Sequence, residues 1–118
     1  QIQLMKWCDE KRYRVYGVPS GHIYRDGAAL AKGAKKGMPD VLCFDEPADG
    51  KSRGLAIELK DGNAPPAQQE LSCDQAKWFA QLRSCGWKCF KATSFTEAKQ
   101  IITDFIHGTG DMGSPLCV

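Results

Sequence analysis

The sequence predicts an α/β fold, a mixed β-sheet flanked by helices, on three observations. Two runs of strand character, Pro39 to Phe44 and Leu55 to Lys60, are separated by a charged tip holding Pro47 and Gly50, which reads as a hairpin with a long loop. Apolar residues recur at helical spacing before and after this hairpin, as in helices that each bury one face. A further strand-like run, Trp87 to Ala92, separates two of those helical stretches, so helices must cover a sheet rather than one another.

Each element has a local reason. Ile2 to Cys8 places Ile2, Met5 and Cys8 on one helical face, and Asp9 to Arg12 marks the polar end. Tyr13 to Val18 alternates as a strand does until Gly17 and Pro19 interrupt it, and Pro19-Ser20-Gly21 is a turn. Gly27 to Lys36 reads as a short helix or loop of small residues, weakened by Gly33. After the hairpin, Asp61 to Pro66 breaks the chain. Ser72 opens a helix whose apolar stripe is Trp78, Phe79, Leu82 and Cys85, and Gly86 ends it. Ser94-Phe95-Thr96-Glu97 has capping-box spacing, and Ala98, Ile101, Ile102 and Phe105 form the buried face of the last helix. The order is α, β, short α, β, β, α, β, α, without internal repeats.

At 118 residues the chain has room for one core, expected over residues 1–107, with a Gly-, Ser- and Pro-containing tail at 108–118. Hydrophobic residues at 42% and charged residues at 25% exclude disordered and fibrous classes. No apolar run approaches the ~20 residues of a spanning helix and no charged-then-apolar leader opens the chain, so a soluble protein without a membrane partner is expected. A net charge of +2 neither demands nor opposes a nucleic-acid partner. Six cysteines could suggest disulfides, but an ordinary apolar core favours free thiols in a reducing cytoplasm, with Cys43 and Cys89 in strands and Cys85 on a helix. Cys85 and Cys89 lack the second pair or His that a zinc site needs, although a thiol-based metal or redox function stands as one alternative class.

The chemistry concentrates on the hairpin. Asp40 begins one strand, while Glu58 and Lys60, two apart on the other, share a face opposite Ile57 and Leu59. Two carboxylates that converge repel each other unless a cation lies between them, and oxygen-only ligands select a hard divalent ion such as Mg²⁺ or Mn²⁺. A lysine beside that ion can stabilise developing negative charge, which suits phosphodiester hydrolysis. An E-x-K pair on a strand is also often just a solvated pair, and P-D dipeptides often begin turns. What favours function is that the two motifs fall on adjacent strands.

Lys36-Gly37-Met38-Pro39-Asp40, then Ala56-Ile57-Glu58-Leu59-Lys60, then Ser72-x-x-Gln75 with Trp78, Leu82 and Gly86, resembles the virus-type replication-repair nuclease (VRR-NUC) branch of the PD-(D/E)xK superfamily. Val18-Pro19-Ser20-Gly21 resembles the segment that precedes P-D in that branch, and the likeness runs from Val15 to Ile106. It implies a restriction-endonuclease-like PD-(D/E)xK core and a metal-dependent DNA endonuclease. Asp40 and Glu58 would bind Mg²⁺ or Mn²⁺ with the Leu59 carbonyl, Lys60 would position or activate water, and Gln75 would complete the site. Gln75 also stands at capping-box spacing from Ser72, which alone would explain it. The resemblance further implies a homodimer that acts on branched DNA such as four-way (Holliday) junctions, in DNA repair, within the cytoplasm of a bacterial or phage-infected cell. The branch usually adds a Glu near the start of the first helix. Gln1 and Gln3 stand there instead, so that Glu lies upstream of Gln1 or the site is a ligand short, which leaves a catalytically impaired DNA-binding module as the main alternative.

Lys32, Lys35 and Lys36 precede the Met-Pro-Asp segment and, with Arg25, would line a groove for the DNA backbone, unless they are simply a solvated loop. His22 is read as a phosphate contact and His107 as a helix-end residue. Trp78 and Phe79 belong to the core rather than to a base-stacking platform.

Overall fold

A computed structural model describes residues 1–18 and 37–108. The turn read at Pro19-Ser20-Gly21, the short helix or loop at 27–36, His22, Arg25, Lys32, Lys35, Lys36, Cys117 and the tail from 109 onward lie outside those residues. The described elements are α1 (Ile2–Lys11), β1 (Val15–Gly17), β2 (Val41–Cys43), β3 (Leu55–Leu59), α2 (Pro66–Gln69), α3 (Cys73–Ser84), β4 (Lys88–Ala92) and α4 (Phe95–His107).

The described strands form one sheet of four in the order β1-β2-β3-β4. β1 pairs antiparallel with β2, and β2 antiparallel with β3 in the register Val41↔Ile57, so the expected hairpin is present. β3 and β4 are parallel, with Glu58 opposite Lys91. A parallel neighbour requires a crossover long enough to return to the same sheet end, and the stretch carrying α2 and α3 supplies it.

Strand alternation divides the core in two. Leu4 and Cys8 of α1 and Ala98, Ile101, Ile102 and Phe105 of α4 bury against Val15, Val41, Cys43, Leu55 and Ile57. On the other face Ala56 and Cys89 pack with Phe79 of α3, supported by Leu42, Leu71, Leu82 and Trp87. The odd residues of β3 thus point at α1 and α4 while its even residues point toward α3.

Several readings need correction. Ile2 does not join the buried face of α1: it is 77% exposed, and Leu4 and Cys8 take that place with Met5 and Trp7 packed beside them. Residues two positions apart on a helix lie about 200° apart around its axis, so once Leu4 faces the sheet Ile2 must face away. The helix also continues through the charged residues Asp9 to Lys11, which need only water, and stops at Arg12 in a left-handed conformation (φ 61°). Residues 65 and 66 do more than break the chain. Pro66 stands at the start of α2, where a missing N–H costs nothing.

Cys85 is not a buried helical thiol. It caps α3 and is exposed, whereas Cys89 is buried in β4. Burial raises the Cys8 thiol to about 12 and those of Cys43 and Cys89 to about 11, leaving three poor nucleophiles and metal ligands. The Ser94 hydroxyl caps α4 by accepting from Glu97 N–H at 3.1 Å. Glu97 Oε1 accepts from Thr93 N–H at 2.8 Å, one residue short of the reciprocal bond that the spacing predicts. His107, on the last turn of α4, meets the Tyr13 hydroxyl at 2.9 Å. No helix among the described residues is long and apolar enough to cross a membrane.

Candidate active site

The hairpin register sets the site. One step past the Val41↔Ile57 pair, Asp40 stands opposite Glu58 at the end of the β2–β3 ladder. Asp40 Oδ2 accepts the Leu59 N–H at 2.8 Å, which ties the carboxylate to the neighbouring strand. Its main-chain oxygen accepts from Val18 N–H at 2.7 Å and from the Gln1 side-chain amide at 3.4 Å. The first turn of α1 therefore does stand at the site, and the residue it presents to Asp40 is an amide.

Glu58 is the one charged side chain that the described core buries, at 4% exposure. Its Oε2 accepts from Gln75 Nε2 at 3.0 Å and lies 3.9 Å from Lys60 Nζ. Its Oε1 is buried and has no hydrogen-bond partner among the described residues. Burial pushes the Glu58 carboxyl up to about 8. The adjacent Asp40 carboxyl adds to that rise, and only Lys60 opposes it. An orphaned buried oxygen of this kind costs a fold roughly 1–3 kcal/mol, so it calls for a partner.

Lys60 follows β3, where its N–H donates to Ala92 oxygen at 2.8 Å, and its side chain is only 14% exposed. The ammonium donates to Gln75 Oε1 at 2.8 Å. Gln75 is at once a helix cap and a member of the cluster. Ser72 Oγ accepts its N–H at 3.2 Å, while its own Oε1 accepts from Ser72 N–H at 2.8 Å. The two roles that its spacing left as alternatives are both present.

Gly37 explains how the start of β2 comes so close to α3. Its φ is +85°, and a Cβ there would lie 2.6 Å from Asp74 Cβ and 2.7 Å from the Asp74 carbonyl carbon. Only a residue without a side chain can lie against that first turn. The packing role of Gly37 is what sequence reasoning missed, and its sequence signal was a Gly three residues before Asp40.

Asp40, Glu58, Lys60 and Gln75 thus converge, and Leu59 joins them through its backbone. The two carboxylates and the partnerless Glu58 Oε1 suit a hard divalent cation, whose oxygen ligands they resemble in chemistry and burial. No group of three or more His, Cys, Asp or Glu side chains converges among the described residues, and that includes Cys85 with Cys89.

A family described as VRR-NUC domain matches residues 19–96. Among solved structures, one described as a VRR_NUC domain protein superposes with a TM-score of 0.65 at 20% identity, covering 95% of this chain and 93% of that one. At that identity the likeness speaks for the fold alone, and it bears out the α/β reading of a mixed sheet flanked by helices. No curated protein matches.

Proposed function

The chain belongs to the VRR-NUC domain family, a nuclease-type domain, and on that premise we propose that it is a Mg²⁺- or Mn²⁺-dependent endodeoxyribonuclease acting on branched DNA. The observation that carries this reading is the buried Glu58 Oε1, left without a partner beside a second carboxylate and within reach of an ammonium. A fold keeps such a group when something else satisfies it in the working state.

Asp40, Glu58 and the Leu59 carbonyl would hold the ion. Once bound, a divalent ion polarises the scissile phosphate and makes a nearby water more acidic. Glu58 must first release the proton that its surroundings favour. Lys60 supplies positive charge to the phosphate oxygens as they gain charge, and Gln75 fixes where that ammonium stands. Water attacks phosphorus in line, the bond to the 3′ oxygen breaks, and 5′-phosphate and 3′-hydroxyl ends result. Lys32, Lys35, Lys36, Arg25 and His22 are the proposed contacts to the DNA backbone. With little surface for base reading, selectivity would come from DNA shape, and a two-fold homodimer would nick the two sides of a junction symmetrically.

A second reading, a DNA-binding module without catalysis, is favoured by the Gln1 amide at Asp40, where the resemblance expects an acid. The test is incubation with junction, flap, single-stranded and linear duplex DNA, each with Mg²⁺ and with Mn²⁺. Junction cleavage should be strongest. Lys60→Ala and Asp40→Ala should lower it by roughly a thousandfold or more while junction binding persists. Binding without cleavage by the unsubstituted chain would establish the second reading, and full cleavage by Lys60→Ala would overturn the site.

A further inference from the structure

We propose that Ser72 is a positioning residue of this site, because its capping box holds the Gln75 amide in the one orientation that serves both Lys60 and Glu58. The effect on turnover rests on the endonuclease reading, whereas the orientation itself rests on geometry alone.

A capping box usually spends its side chains on the helix end and nothing else. Here Gln75 Oε1 accepts two donors, Ser72 N–H and Lys60 Nζ, both at 2.8 Å, while Nε2 donates to Glu58 Oε2 at 3.0 Å. An ammonium only donates, as does a main-chain N–H. Turning the amide over would set its N–H against both the Lys60 ammonium and the Ser72 N–H, and so would break the cap as well. Ser72 grips both ends of the residue: its hydroxyl accepts the Gln75 N–H at 3.2 Å and its own N–H holds the amide oxygen. The Lys60 ammonium is nearer to that amide oxygen, at 2.8 Å, than to Glu58, at 3.9 Å, so a Gln75 that wanders takes Lys60 with it.

Ser94 provides an internal comparison. It caps α4 in the same way, at 3.1 Å from Glu97 N–H, but the Glu97 side chain turns to Thr93 and not to this cluster. The experiment compares the full chain carrying Ser72→Ala, Ser72→Gly, Ser72→Thr or Ser94→Ala. Gly is well tolerated at a helix N-cap, so Ser72→Gly keeps the test open if the alanine variant does not fold. Proton–nitrogen correlation spectra follow the Gln75 side-chain amide, thermal melts follow stability, and junction cleavage gives kcat and KM. Ser72→Ala and Ser72→Gly keep the main-chain N–H but lose the hydroxyl that fixes the Gln75 N–H, so the Gln75 amide signals should shift as its hold on Lys60 and Glu58 loosens. The kcat should fall between about tenfold and a hundredfold, with KM within about twofold of the original. Ser72→Thr should restore both, and Ser94→Ala should lower Tm with kcat and the Gln75 signals unchanged. Unmoved Gln75 signals, or a kcat loss no larger than that of Ser94→Ala, would overturn the proposal. If the unsubstituted chain cleaves nothing, the endonuclease reading falls, and the Gln75 signals alone decide whether Ser72 sets the amide.

Discussion

Glu58→Gln should eliminate cleavage while making the metal-free protein more stable, and the stability gain should grow with pH. The carboxyl is buried, raised to about 8, set beside the Asp40 carboxyl and left with one oxygen unpartnered. A group that holds its proton more tightly folded than unfolded favours the fold most below its unfolded value, here 4.5. That contribution is lost as pH rises toward the folded one. The amide carries no charge to bury at any of these pH values, so urea midpoints of the two metal-free proteins should lie close together near about pH 5. At about pH 8 the variant should lead by about 1–2 kcal/mol. Mn²⁺ should act in the opposite sense, stabilising the unsubstituted chain and not the variant, because on the proposed function a bound ion would satisfy the carboxylate and displace its proton. Metal affinity should accordingly climb by up to about tenfold per pH unit over the same interval. Cleavage by the variant should drop by roughly a thousandfold or more. A variant less stable than the original at high pH would show that the buried charge is not the strained group.

Gly37→Ala should be the most damaging change away from the ionisable cluster. The new methyl meets Asp74 Cβ at 2.6 Å and the Asp74 carbonyl carbon at 2.7 Å, and main-chain atoms in the first turn of a helix cannot step aside. The φ of +85° adds the cost of a left-handed backbone for a residue with a side chain. Together these predict a loss of about 2–4 kcal/mol in denaturant unfolding. Gly50 separates the two causes: its φ is +65°, but nothing lies within 4 Å of the added methyl. Gly50→Ala should therefore cost only about 1 kcal/mol, and a similar loss at both positions would refute the close-packing account. Gly37→Ala should also lower kcat under conditions where the protein stays folded. Asp40 is three residues beyond one side of this contact, and Gln75 adjoins the other.

What could be read from the sequence follows from which forces act locally. The hairpin and the shared face of Glu58 and Lys60 need only the period of a strand, and the chain displays it. The buried face of α4 was legible for the same reason, since Ala98, Ile101, Ile102 and Phe105 repeat at helical spacing. Ile2 was misplaced because a short polar helix has several plausible apolar faces, and only the sheet decides among them. The burial of Glu58 could not be seen at all, since it depends on α3 crossing back over β3, far along the chain. Gln75 looked like a choice between cap and site. It proved to be both, because an amide has atoms enough to serve a helix end and two charged neighbours together.

β3 runs between two partner strands and turns Leu55 and Ile57 toward α1 and α4 on one side and Glu58 toward α3 on the other. The Leu59 N–H, at the last residue of β3, is clasped by the Asp40 carboxylate, so its exchange with solvent should quicken when that carboxylate is removed.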